Sequence, residues 1–281
     1  MHQRKRVDVH VSGERPENSF TISMPRRDKE RLEAFLRHYC ILEQWVYTLA
    51  GVKPVTFSLC HTKFPFFDLI SQRRKRFLGW NTWLKYQPYF QNSRFTVFPD
   101  KGWQSSDWMF ITIIDRRQFN EVVRQYSDDF QSVLHLDSLD AERLLEREQG
   151  LSFFEDTLQG HDGLIGTVLG YGRNNAWQFF ERSQGKEDML ESMWDGDLMS
   201  QMLDHWNKKP PFASWDLSHL FYPSCAADKN SEESIAFRKR YQEMRDTIIR
   251  YYEGRDFVEV TLSLLNRRLD DPSPLVERKM L

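Results

Sequence analysis

The sequence contains no long apolar run: nowhere in its 281 residues do apolar positions approach the roughly 20 in succession that a bilayer-spanning helix needs. It has no His-x-x-His or HExxH pair and no loop with EF-hand order, so no metal is expected. Cysteine is scarce. Cys40, Cys60 and Cys225 show no CxxC spacing and leave one thiol over in any disulfide scheme. That pattern suits a reducing compartment with thiols acting as small buried hydrophobes. Net charge is only −2, which gives no global attraction to nucleic acid or acidic lipid. The basic start MHQRKR lacks the apolar stretch of a signal peptide. A cytoplasmic protein is expected; an effector exported without a recognisable signal peptide would look the same.

What is present is ordinary in amount and uneven in placement. Hydrophobic residues make up 40% and charged residues 28%, enough for a folded chain with a sizeable core. Residues 1–110 carry 18 Lys+Arg against 10 Asp+Glu, and the remaining 171 carry 21 against 31. The first 110 also hold 20 of the 40 aromatic residues. A basic, aromatic front and an acidic back imply two functional surfaces, or two halves that attract each other.

Gly13, Pro16 and Pro25 mark residues 1–25 as an irregular lead-in. Leu32, Phe35, Leu36, Tyr39, Leu42, Val46 and Leu49 recur at helical spacing up to Gly51, a natural stop. Residues 53–60 alternate as a strand, with Val55, Phe57 and Leu59 on one face. A helix follows over 72–90 in which Phe77, Trp80 and Leu84 share a stripe, with Trp83 next to it. Residues 94–98 and 108–114 read as an antiparallel pair of strands, and Asp115 caps the helix after them.

From there the pattern is helical. Ser152-x-x-Glu155 is a capping box, Ser231–Glu253 shows apolar residues four and three apart, and Asp256-x-x-Glu259 caps a last helix. Val258, Val260, Leu262 and Leu264 would also alternate in a strand. The expected fold is α+β: a small antiparallel sheet in the N-terminal half packed by helices, and a mostly helical C-terminal half. We expect one domain over 26–270, with the sheet in about 26–135, the helical part in about 136–270, and a frayed tail over 271–281.

Five glycines punctuate residues 160–172, and Gly170-Tyr-Gly172-Arg-Asn-Asn-Ala176 is a loose G-x-G-x-x-x-A. Such a loop can bring backbone N–H groups and a helix N-terminus up to a pyrophosphate. The second strand of a dinucleotide fold is missing after it, so a helix–helix packing junction is the stronger reading. In that reading Asn174 is an N-cap and Asn175 an interior hydrogen-bonding residue. LGYGRNNAWQFF, together with YQEMRDTIIRYYEGRDFVEVTL, resembles uncharacterised bacterial proteins of obligate intracellular, chlamydia-like bacteria. The resemblance covers about a quarter of the chain. It implies a bacterial, host-directed protein and supplies no activity, cofactor or catalytic residue.

The remaining candidates each have a plainer explanation. His161-Asp162 could orient an acid or base, with Asn174 nearby, but Gly160-His-Asp-Gly163 is also a turn. Cys60 could pair with a distant His161 or His135, whereas its neighbour His61 would face the other way on a strand; a buried structural thiol is the stronger reading. Glu187, Asp188, Glu191, Asp195 and Asp197 could supply oxygen ligands, or form a solvated helix face. Arg73, Arg74, Lys75 and Arg76 before an aromatic run form a candidate polyanion surface. The candidate ligand-binding residues are Gly170, Gly172, Arg173, Asn174 and Asn175. We expect a protein-interaction or effector-like protein without catalytic activity, with another protein rather than nucleic acid as partner and no cofactor. The alternative is an enzyme or nucleotide-binding protein with its site at residues 160–175.

Overall fold

Val9, Val11, Ile22 and Met24 alternate with polar residues, and that period of two builds a hairpin at the start of the chain. In the computed structural model, which describes residues 5–62, 72–100, 102, 108–146, 151–186, 216–223, 225, 227–271 and 275, β1 (Arg6–Val11) pairs antiparallel with β2 (Phe20–Pro25). This corrects the irregular lead-in expected for 1–25. Gly13 and Pro16 belong only to the connection, and the four alternating apolar side chains are buried.

Leu32, Phe35 and Leu36 are buried along α1 (Arg26–Arg37), as their spacing predicts. The expected single helix to Ala50 is interrupted. A wider π-type turn over His38–Leu42 and a left-handed Gln44 (φ 66°) separate α1 from α2 (Trp45–Leu49). Gly51, at φ 78°, ends the segment.

β3 (Val55–His61), β4 (Phe95–Asp100) and β5 (Trp108–Asp115) form an antiparallel sheet in the order β3-β5-β4. Successive side chains point to opposite faces, so Ile113 joins one apolar cluster and Ile114 another. The first cluster unites the hairpin, α1 and α3 (Gln72–Tyr86) with helices from the end of the chain. The second gathers Phe119 and Val123 of α4 (Arg116–Gln125), Phe130 of α5 (Ser127–Leu134), and Phe153, Phe154 and Leu164. The outer edge of β4 is closed against further strands. Gln87 Nε2 donates to the Val97 carbonyl at 2.7 Å, Ser93 Oγ accepts from Phe95 N–H, and Pro99 has no N–H. On α3, Trp80 and Trp83 are buried while Leu84 is 42% exposed, so the buried stripe runs through Trp83 and not Leu84.

The local caps form where the sequence places them. Asp115 Oδ1 accepts from Gln118 N–H, and its other oxygen holds the buried guanidinium of Arg94. After the short α6 (Ala141–Leu145), Ser152 Oγ accepts from Glu155 N–H at 3.1 Å. The reciprocal contact to Ser152 N–H comes from Asp156 instead of Glu155.

Two short helices follow, α7 (Asp162–Val168) and α8 (Arg173–Glu181). Ser231 caps α9 (Glu232–Tyr252), which buries Phe237, Tyr241, Met244 and Ile248. Asp256 accepts from both Val258 and Glu259 N–H and opens α10 (Phe257–Leu265), so the alternating apolar residues there lie on a helix. Glu259 and Ser263 of α10 in turn accept from His10 and Ser12 N–H, docking the last helix on the first strand. Asp271 and Leu275 are buried, which corrects the fraying expected from residue 271 onward at those two positions. The acidic segment holding Glu187, Asp188, Glu191, Asp195 and Asp197 lies outside the described residues.

Candidate functional site: the glycine-rich helical hairpin and two surface clefts

The glycines of residues 160–172 let α7 and α8 approach. A Cβ on Gly166 would come within 2.7 Å of Ala176 Cβ, so the two helices meet where neither has bulk. Gly170 (φ 78°) and Gly172 (φ 94°) turn the chain between them, and a Cβ on Gly170 would stand 2.9 Å from Pro54.

His161 is the N-cap residue of α7. Its Nδ1 accepts from Leu164 N–H at 3.3 Å, and its ring packs 4.1 Å from Phe180 and 5.2 Å from Trp177, centroid to centroid. Burial among these rings holds its pKa below the ordinary imidazole value, which keeps Nδ1 free to accept. Asp162 accepts from Ser183 Oγ at 3.3 Å.

Arg173 makes two parallel hydrogen bonds to the Asp129 carboxylate, at 2.6 and 2.8 Å, and lies over the Trp177 ring. Asn174 is exposed and does not cap α8; Gly172 is the N-cap residue. The cap comes from across the fold. Glu233, in the first turn of α9, accepts from Asn174 N–H at 3.3 Å and Asn175 N–H at 2.7 Å. Its carboxylate therefore takes the position at a helix N-terminus that a phosphate would occupy in a dinucleotide loop. Asn175 is the buried interior residue expected of it: Nδ2 donates to the Tyr171 carbonyl, and Oδ1 accepts from Ser234 Oγ.

A cavity of about 200 Å³ lies along the α7–α8 seam, bordered by Asp162, Ile165, Leu169, Tyr171, Phe179 and Cys225 among others. Of the five ligand-binding candidates only Asn175 borders it; Gly170, Gly172, Arg173 and Asn174 do not. Asp162 borders it and His161 does not, so the candidate catalytic residues His161, Asp162 and Asn174 fail to converge there. Burial pushes the Cys225 thiol up to about 12, leaving it a poor nucleophile. Lys53 is 3% exposed, and burial pulls its ammonium down to about 8. Among the described residues its Nζ reaches only Gln44 Oε1, at 3.5 Å, and sits 5.6 Å from the Tyr171 ring centroid.

Sequence reasoning missed Glu233, Asp129 and Lys53, because none is near its partner along the chain. The backbone of Arg73, Arg74, Lys75 and Arg76 forms the start of α3, and their side chains lie outside the described set. Cys60 is fully buried on β3, as the structural reading of it expects. Among the described residues no cluster of His, Cys, Asp and Glu could hold a metal ion, and no helix is long and apolar enough to cross a membrane.

Two further clefts flank the tight turn Gln87–Phe90. One, of about 310 Å³, is bordered by Trp83, Leu84, Gln87, Phe95, Val97 and Arg116 among others. The other, of about 250 Å³, is bordered by Glu17, Asn18, Phe20, Tyr89 and Asn266 among others, and the two share Pro88, Phe90, Gln91 and Ser93. Tyr89 is 55% exposed, with its ring stacked 6.0 Å from that of Phe20.

Comparison with protein-family models, with curated proteins and with solved structures returned no match.

Proposed function

We propose that this chain is a protein-interaction module without catalytic activity, and that it docks its partner on the face formed by the two clefts beside Gln87–Phe90. The observation that carries this reading is Tyr89, which stands exposed at one of two adjoining clefts lined by aromatic, proline and amide side chains. Isolated exposed apolar residues are common and need no explanation. Here Tyr89 and Leu84 border clefts on the two sides of one turn, the arrangement in which a partner's side chains can be seated around a tyrosine anchor. The closed edge of β4 means that side chains, rather than an added strand, would do the docking.

The enzyme or nucleotide reading of residues 160–175 is less well supported. Glu233 already supplies, from within the chain, the negative charge that reading requires from a phosphate. Placing a photo-crosslinking amino acid at Tyr89, and separately at the exposed Gln242 on α9, tests the proposal in cells that express the protein. A discrete adduct at position 89, absent at 242 and lost with Leu84→Asp, is expected. Identical adduct patterns at both positions, or no adduct at 89, would refute the docking face.

A further inference from the structure

The cavity between α7 and α8 is not used by the docking face; a carboxylate borders one end, and a buried ammonium lies behind the wall at the other. At the end formed by the start of α7 and the end of α8, Asp162 borders the cavity alongside Phe179. Among the described residues the Asp162 carboxylate has one hydrogen-bond partner, the neutral hydroxyl of Ser183, and forms no ion pair with a Lys or Arg. At the other end stand Tyr171 and Cys225. Behind that wall Lys53 is buried, its Nζ above the Tyr171 ring. Between the two ends the lining is Ile165, Leu169 and Ala176.

We propose that this cavity binds a small apolar amine, its ammonium group at Asp162 and its hydrocarbon body along Ile165, Leu169 and Phe179. Three features select that chemistry. An unneutralised carboxylate beside an apolar space favours a ligand that brings its own positive charge. The Phe179 ring, which borders the same end as Asp162, tolerates a cation where an anion would be repelled. The buried ammonium of Lys53 keeps the ligand's charge away from the far end and so sets its direction.

Size limits the ligand further. An apolar protein cavity of roughly 150 Å³ accepts benzene, so about 200 Å³ suits one ring with a short aminoalkyl arm. His161, next to Asp162, does not compete for its charge at neutral pH, because burial keeps the imidazole uncharged.

Three probes of matched shape test the proposal on the intact chain: 2-phenylethylamine, 2-phenylethanol and 3-phenylpropionate, titrated while the methyl resonances of Ile165 and Leu169 are followed by NMR. The amine is expected to shift both methyls, to bind at least about tenfold more tightly than the alcohol, and to exceed the acid by more. Asp162→Asn, which keeps the side chain's shape, is expected to abolish the preference for the amine while leaving weak binding of the alcohol. The wild-type ranking of the three probes does not depend on how that variant folds. The proposal is overturned if the amine leaves both methyls unmoved, if the alcohol or acid binds as tightly, or if Asp162→Asn retains the preference.

Discussion

Glu233 and Asn175 join the beginnings of two helices that are far apart along the chain. The Glu233 carboxylate accepts Asn175 N–H at 2.7 Å, while Asn175 Oδ1 accepts from Ser234 Oγ at 3.2 Å. The α8 N-terminus thus receives its acceptor from α9, whose own N-terminus is capped by Ser231, and the Ser234 hydroxyl ties the two helix starts together. The negative carboxylate also suits the positive end of the α8 dipole.

Removing that carboxylate should loosen the junction. Glu233→Ala is expected to lower unfolding free energy by about 1–2 kcal/mol, since two amides lose a charged acceptor beside partly exposed groups. Chemical denaturation measures the loss. Phosphate added to the variant should recover part of it by binding the vacated amides. Unchanged stability would mean that Glu233 does not hold α8.

The glycines should differ in what they tolerate. Gly160 has φ 63° with open space around it, so Gly160→Ala meets only the left-handed backbone cost of roughly 1–2 kcal/mol. Gly170→Ala adds to that cost a contact at 2.9 Å with Pro54. Gly166→Leu forces bulk between α7 and α8 and is expected to cost about 1–3 kcal/mol by overpacking. Equal thermal midpoints for the Gly160 and Gly170 variants would contradict the packing at Pro54.

Cys40 and Cys60 are fully buried, and burial raises the Cys40 thiol well above its ordinary value. Neither should react with an aromatic disulfide reagent in the native protein at pH 8. Cys225 is only partly covered, but with its thiol pushed up to about 12 it should label slowly. All three should react at once in denaturant. Fast native labelling of Cys40 would show that the π-type turn after α1 is not packed as described.

Lys53 gives a pH dependence of definite sign. Its ammonium is held at about 8 in the fold against 10.5 for the free side chain. Below about 8 both states are protonated, and the fold carries the full cost of a buried charge with few partners. As pH rises from 8 toward 10.5 the folded state loses its proton first, and that cost disappears. Lys53→Met should therefore be the more stable protein at pH 7, and its advantage over the wild type should shrink across that window. Unfolding free energies of the two proteins from pH 7 to 10.5 provide the comparison. A pH-independent difference, or a variant less stable at pH 7, would contradict it.

The α+β class and the caps at Asp115, Ser152 and Asp256 were legible in the sequence because each depends on residues within about one helical turn. Apolar spacing likewise identified the buried faces of α1 and α9. Other features were decided only by packing between distant segments. The first hairpin is completed by Glu259 and Ser263, whereas a local reading of Gly13 and Pro16 suggested irregular chain. Asn174 looked like a cap, but the acceptor at the α8 N-terminus came from Glu233, 58 residues beyond Asn175. Leu84 and Trp83 occupy adjacent positions on one helix, and only the neighbours of α3 determined which of them was buried. Hydrogen bonds within a turn are set by local backbone geometry; burial and charge pairing depend on which distant segment arrives alongside. For that reason the sequence identified the glycine hairpin, while tertiary structure decided that its helix N-terminus would hold the chain's own carboxylate.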